Sequence, residues 1–166
     1  MTGMSPATLN ARWGRIHTQS PMSITKILVV EDDLLLSKVL NYKLSSRGYQ
    51  VHTAYNAREA AEITRMALPQ LVILDLGLPA ADPSPGKQAG GFGFLEWLNE
   101  NVAANRPPVI VLSAWSPVNA EPLARRLGAV VYLQKPTEDE KLFAAIDSQL
   151  RPGAPTRDPN KSSTDG

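Results

Sequence analysis

Cysteine is absent from this 166-residue chain. That absence removes disulfides, thiolate metal sites and cysteine nucleophiles together, and it leaves the redox compartment open. Histidine is scarce: His17 lies in an amino-terminal tail and His52 within a strand pattern, so neither stands near the polar motifs. No apolar run approaches the roughly 18–20 residues of a membrane span, and no early stretch resembles the core of a secretory signal. The expectation is a soluble, unexported, cytoplasmic protein with no membrane partner. Charge imbalance is also missing, because 17 basic residues face 16 acidic ones for a net charge of +1. Nothing in that balance calls for a nucleic-acid partner. Acid is absent from the first 22 residues, which hold Arg12, Arg15 and several Ser and Thr. An organellar transit peptide has that composition. The plainer readings are a disordered tail over residues 1–23, or translation that starts at Met22.

What is present is an ordinary globular composition, 43% hydrophobic and 20% charged, in a length that suits one domain. From Lys26 onward, short apolar β-branched runs alternate with amphipathic stretches, the pattern of a parallel sheet wrapped by helices. The strands are expected at Ile27–Glu31, Gln50–Thr53, Leu71–Asp75, Val109–Ser113 and Val130–Leu133. Leu36, Val39, Leu40 and Leu44 give a first helix one apolar face, and Gly48 closes it. Asn56 with Glu59 predicts a capping box for a second helix, which Pro69 stops. Phe94, Leu98 and Val102 mark a third helix. Leu142, Ile146 and Leu150 mark the last, behind a Thr137-x-x-Glu140 cap. The fourth helix, about Val118–Leu127, carries Pro122 and is expected to start late, kink or be loosely held. After Leu150 the polar residues 151–166 lack periodicity and predict a disordered tail, leaving residues 24–150 as the domain.

In an open parallel sheet, ligands bind beyond the carboxyl ends of the strands. Here those ends carry Glu31, Asp32, Asp75 and Ser113, with Lys135 just after the last strand. Three carboxylates in one crevice repel and desolvate each other unless a cation neutralises them. Mg2+ suits them, since it takes oxygen ligands from one or two carboxylates plus a phosphate. Lys135 then supplies a fixed positive charge and Ser113 a hydroxyl for phosphoryl oxygens, which leaves Asp75 as the nucleophile. Each residue alone also has a bland explanation: Glu31-Asp32-Asp33 as an acidic helix start, Asp75 as a turn cap, Lys135 as a solvated charge, Tyr132 as a half-buried strand aromatic.

The segments Ile27-Leu28-Val29-Val30-Glu31-Asp32-Asp33, Leu74-Asp75-Leu76-Gly77-Leu78-Pro79, Val111-Leu112-Ser113-Ala114 and Gly128-Ala129 with Tyr132-Leu133-Gln134-Lys135-Pro136 together resemble a response-regulator receiver domain over Lys26–Leu150. The resemblance implies a flavodoxin-like α/β fold, a doubly wound five-stranded parallel sheet in order 2-1-3-4-5 with five helices. It implies Asp75 as phosphoacceptor, and Mg2+ held by Glu31, Asp32, Asp75 and the Gly77 backbone carbonyl. Lys135 and Ser113 would meet the phosphoryl group, Ser113 and Tyr132 would act as the switch, and the Lys135–Pro136 bond would be cis. It further implies a sensor histidine kinase or histidine phosphotransfer protein as donor, and a downstream protein target. The chain would be a phosphoacceptor rather than a turnover enzyme, without an output domain, and a monomer or a phosphorylation-dependent dimer.

There are departures from the family pattern. The Pro79–Gly91 loop is about eight residues longer than usual and borders the site. Gly77 lacks a side chain two positions after the acceptor, and Trp115 stands two after the hydroxyl, where it could shield an acyl phosphate. Two other functions stay open. One is a receiver fold used only as an interaction module, without phosphorylation. The other is a haloacid-dehalogenase-type phosphatase, which would need a second Asp where this chain has Gly77.

Overall fold

The computed structural model describes residues 24–79 and 88–151. The expectations for the two tails and for most of the long loop lie outside the described residues. Five strands, β1 (Lys26–Val30), β2 (Gln50–Ala54), β3 (Leu71–Leu74), β4 (Val109–Ser113) and β5 (Val131–Gln134), alternate with five helices. The helices are α1 (Leu34–Ser45), α2 (Ala57–Ala67), α3 (Gly90–Asn101), α4 (Pro117–Arg126) and α5 (Asp139–Leu150). All strand pairs are parallel, in the expected order β2-β1-β3-β4-β5.

The two faces of the sheet follow from the period of two along each strand. Leu28, Val30, Val72, Leu74, Val109 and Val111 point to one side, where they pack with Ala60, Phe94, Leu98 and Ala124 from α2, α3 and α4. Ile27, Val29, Leu71, Ile73, Ile110 and Leu112 point to the other, against Leu40 and Leu44 of α1 and Leu142 and Ile146 of α5. Burial on both faces is why β1, β3 and β4 are continuous apolar runs. Trp97 stacks on Phe94, 5.9 Å between ring centroids, as packing within α3.

Several local expectations shift. Val39 is exposed, because Leu40, Leu44 and the half-buried Leu36 already cover the sheet and rotate Val39 outward beside exposed Leu35 and Tyr42. In α2, Asn56 caps as expected, but the reciprocal Glu59 carboxylate reaches the Tyr55 N–H rather than that of Asn56. Thr137 does not cap α5: the N-cap is Glu138, with no side-chain capping bond. α4 does not start late, since Pro117 occupies its first position, where proline needs no donor. Pro122 is accommodated inside the helix.

Candidate functional site

The carboxyl edge of the sheet is stitched by backbone bonds that fix the polar strand ends. The Glu31 N–H donates to Ala54 O, Asp75 N–H to Val30 O, and Lys135 N–H to Ser113 O. Glu31 and Asp75 therefore leave the sheet one step beyond a buried apolar run, while Lys135 follows the exposed Gln134 that ends β5. Asp33 separates from the acidic pair: its Oδ1 accepts from the N–H groups of Leu35 and Leu36 at 2.8 and 3.0 Å and caps α1.

Glu31, Asp32 and Asp75 each offer an oxygen within 4.8 Å of the other two. Glu31 is 3% exposed and Asp75 8%, while Asp32 faces solvent. Lys135 reaches into this cluster, its Nζ 2.6 Å from Glu31 Oε2 and 2.9 Å from Asp75 Oδ2. The other Asp75 oxygen, Oδ1, accepts from the Gly77 N–H at 3.0 Å. Asp75 is thus gripped from two sides. The Lys135–Pro136 peptide is cis.

Burial raises the Glu31 carboxyl above its ordinary range, opposed by the hydrogen bond and charge of Lys135 and reinforced by the Asp75 charge. Burial pulls the Lys135 ammonium down, but its bonds to Glu31 and Asp75 outweigh that and leave it raised. One lysine against three carboxylates leaves the cluster short of positive charge. An all-oxygen donor set with no sulfur or imidazole fits a hard divalent ion such as Mg2+ better than zinc or copper.

Ser113 is fully buried at the end of β4, and its Oγ accepts from the Trp115 N–H at 3.3 Å. Tyr132 turns inward rather than to solvent, and its hydroxyl donates to Trp115 O at 2.9 Å. Burial raises the Tyr132 hydroxyl above its usual range, opposed by Ser113 beside it. Trp115 links the two expected switch residues through its backbone. The residue is 48% exposed, and its ring tilts on Phe92 at 5.8 Å between centroids.

One contributor escaped the sequence reading. The start of α3 lies so close to the chain leaving β3 that a Cβ on Gly91 would stand 2.4 Å from Asp75 O and 2.7 Å from Leu76 Cα. Gly90, at φ +60°, would put a Cβ 2.6 Å from Leu78 O. The signal available was a glycine doublet opening a helix, where glycine costs about 1 kcal/mol and therefore implies a packing reason.

Comparison with known proteins gives a consistent result. The family model for the response regulator receiver domain matches residues 27–147. "Probable transcriptional regulator ycf27" of Cyanophora paradoxa is 34% identical over 139 residues, 84% of this chain and 52% of that protein. The chain thus spans about half the length of the curated relatives it matches. The chemotaxis protein CheY4 of Vibrio cholerae superposes with a TM-score of 0.67 at 23% identity, over 77% of this chain and all of that one. The BeF3-activated N-terminal receiver domain of RstA from Klebsiella pneumoniae superposes with a TM-score of 0.67 at 24% identity, over the same shares. At these identities the two structures speak for the fold.

Proposed function

This chain belongs to the response-regulator receiver domain family, and from that premise we propose that it accepts a phosphoryl group on Asp75 and thereby switches a protein-binding surface. The observation that carries the proposal is the grip on Asp75, with Lys135 on one oxygen and the Gly77 N–H on the other, beside two further carboxylates. The donor would be the phosphohistidine of a sensor histidine kinase or of a histidine phosphotransfer protein. The P–N bond breaks as the P–O bond to the Asp75 carboxylate forms, and the electron pair returns to the imidazole nitrogen. For a loose transition state, positioning and charge neutralisation supply most of the catalysis, so no general base is needed.

Glu31, Asp32, Asp75 and the Gly77 carbonyl would hold Mg2+. When bound, that ion supplies positive charge to phosphoryl oxygens. Lys135 supplies a second positive charge from its anchored position, and its bond to Asp75 Oδ2 keeps the carboxylate aimed. Ser113 would donate to another phosphoryl oxygen. Its hydroxyl now engages the Trp115 N–H, so turning toward the phosphate would loosen the Trp115 backbone that Tyr132 also holds. That links occupancy of Asp75 to the surface around α4 and β5, which would meet a downstream protein. Receivers are not a family of turnover enzymes, and this chain would consume no substrate beyond its own modification. The relatives' printed names describe transcriptional regulators. For this chain we propose output through protein contact, with no direct nucleic-acid binding, in the cytoplasm, as a monomer or a phosphorylation-dependent dimer.

The test is purified protein with Mg2+ and acetyl phosphate, followed by intact-mass analysis of wild type and Asp75→Ala. One added phosphoryl group in wild type alone supports the proposal. No adduct on folded, metal-binding wild type would overturn it in favour of an unphosphorylated interaction module.

A further inference from the structure

The two ends of α4 are held by different means. At the carboxyl end the Arg106 guanidinium reaches across from the chain before β4, its Nη1 donating to Gly128 O at 2.8 Å and its Nη2 to Leu127 O at 3.0 Å. Asn99 of α3 donates its Nδ2 to the same Leu127 O at 3.1 Å, and Arg125 Nη1 donates to Val130 O at 2.8 Å. These donors lie on carbonyl groups at the negative end of the helix, where a helix leaves them unpaired. The fit is close: Gly128 turns at φ +92°, and a Cβ there would overlap the Arg106 guanidinium. Burial lowers the Arg106 guanidinium from its ordinary value, and its buried Nε has no partner among the described residues. Its bonds to the two carbonyls are therefore what keep a costly cation in place.

The amino end lacks such a clamp. Among the described residues no side chain caps its first turn, and within Pro117–Glu121 only Ala120 is buried. After Pro122, by contrast, Ala124 is buried and Leu123 and Leu127 pack against the core. What ties the amino end to the fold is the backbone of Trp115, which donates to Ser113 Oγ and accepts from the Tyr132 hydroxyl. Between the halves stands Pro122, which offers no N–H to the Val118 carbonyl one turn back and leaves the helix weakest at that point. The Glu121–Arg125 ion pair spans it, but both side chains are partly exposed, and pairs of that kind hold a helix only weakly.

We propose that α4 is a lever in two parts: Pro117–Glu121 pivots at Pro122 when the ties to Trp115 are released, while Leu123–Gly128 is kept in place by Arg106 and Asn99. Arg106 is then a positioning residue of the switch, acting through the Leu127 and Gly128 carbonyls. The trigger rests on the proposed turn of Ser113 toward a phosphoryl group, whereas the hinge belongs to the unmodified chain. A shallow groove lined by Pro117, Val118, Glu121, Pro122 and Arg125 lies over the pivot, so movement of one half alone changes the shape that α4 offers to a partner.

The experiment is amide hydrogen exchange of the full chain, read by NMR. The probes are Asn119 and Ala120, which donate to Ser116 O, and Leu127, Gly128 and Ala129, which donate to Leu123, Arg125 and Ala124 in the clamped half. Tyr132→Phe removes one tie to Trp115 without any modification. Asn119 and Ala120 should then exchange about fivefold faster, the worth of an ordinary hydrogen bond, while Leu127–Ala129 stay within about twofold. Pro122→Ala restores the missing N–H, and in that background the release by Tyr132→Phe should fall to about half or less. Arg106→Lys keeps the charge but not the fork, and should speed exchange at Leu127 and Gly128 about fivefold. No acceleration in Tyr132→Phe, equal acceleration of both halves, or the same release with and without Pro122 overturns the hinge. Unchanged exchange at Leu127 and Gly128 in Arg106→Lys overturns the clamp. The same amides are then read with Mg2+ and acetyl phosphate, with intact mass reporting the adduct, and faster exchange of Asn119 and Ala120 alone is expected. An adduct with both halves responding together overturns the lever and leaves the phosphoryl reading standing. No adduct, with the halves separating in Tyr132→Phe, supports the lever and overturns the phosphoryl reading.

Discussion

The balance at the site is set by single charges. Among the described residues Lys135 is the cation bound to buried Glu31 and Asp75, so Lys135→Ala leaves Glu31 buried with the Asp33 N–H at 3.3 Å but no charged partner. Removing one member of a buried pair costs roughly 3 kcal/mol or more. Because the folded-state carboxyl of Glu31 is raised above its ordinary value, its ionised form opposes folding. That penalty is absent below the unfolded value, grows as pH rises from the unfolded value to the folded one, and is complete above it. Lys135, also raised, contributes its pairing throughout the neutral range and loses it only above the ordinary lysine value. Urea unfolding in EDTA should show Lys135→Ala losing more stability at pH 7 than at pH 5; equal losses would mean that Glu31 is not the stranded charge. Trp115 sets a second expectation. With its ring on Phe92 beside the site, the acyl phosphate should outlast minutes, and Trp115→Ala should shorten its lifetime several-fold by admitting water; loss from wild type within seconds would sink this. Glu31, Asp32, Asp75 and Lys135 were legible because each is a polar residue ending or following an apolar strand. Gly91 was not, since its role lies in a backbone approach that no periodicity encodes.

Elements were legible where one face had to be apolar, and less so at their ends, where capping competes with tertiary contacts. The Phe94–Leu98 spacing located α3, but its first turn is Gly90-Gly91 packed on the chain after Asp75, which looked like part of a glycine-rich loop. Gly91→Ala would drive a methyl into Asp75 O, and the clash is with backbone that cannot swing away. The expected outcome is a folded but destabilised protein whose acetyl-phosphate adduct forms at least several-fold more slowly, followed by intact mass over time. An unchanged rate would show that the Asp75 backbone tolerates the shift. α4 gives the converse case. Pro122 lacks an N–H for the Val118 carbonyl one turn back, and interior proline disfavours a helix by about 3 kcal/mol. Part of that is offset because proline also stiffens the unfolded chain. Its ring is exposed, so Pro122→Ala removes little packing and should raise stability by about 1 kcal/mol in urea unfolding. A decrease would mean that the ring supports the helix by contact. The sequence placed the fourth helix at about Val118–Leu127 and expected Pro122 to make it start late; it starts instead at Pro117, the first helical position, where a missing N–H costs nothing.

At the scale of the molecule, strand order and the edge that carries the site follow from one constraint. Parallel strands joined by right-handed helical crossovers bring every strand's carboxyl end to the same rim. The polar ends of β1, β3 and β4 must therefore meet, and the two hydrophobic layers that hold them together contain no basic side chain that could answer the negative charge at the rim. In the metal-free chain the rim stores repulsion, relieved only in part by Lys135. A divalent ion that binds the folded rim and not the unfolded chain adds stability as RT ln(1 + [L]/Kd), about 2.7 kcal/mol when the ion is a hundredfold above its dissociation constant. For a domain of this size that corresponds to a rise in Tm of roughly 5 °C or more. Thermal unfolding in EDTA and in excess Mg2+ should show this rise for wild type at neutral pH. The rise should shrink as pH falls, because the raised Glu31 carboxyl then takes up protons in competition with the ion. Asp75→Asn should behave oppositely on both counts, starting from a higher Tm in EDTA because one repelling charge is gone, and gaining less from Mg2+ because one ligand charge is gone. Equal Mg2+ responses in wild type and Asp75→Asn would place the ion elsewhere, and no response in wild type would leave Glu31, Asp32 and Asp75 as a charged rim that Lys135 alone holds together.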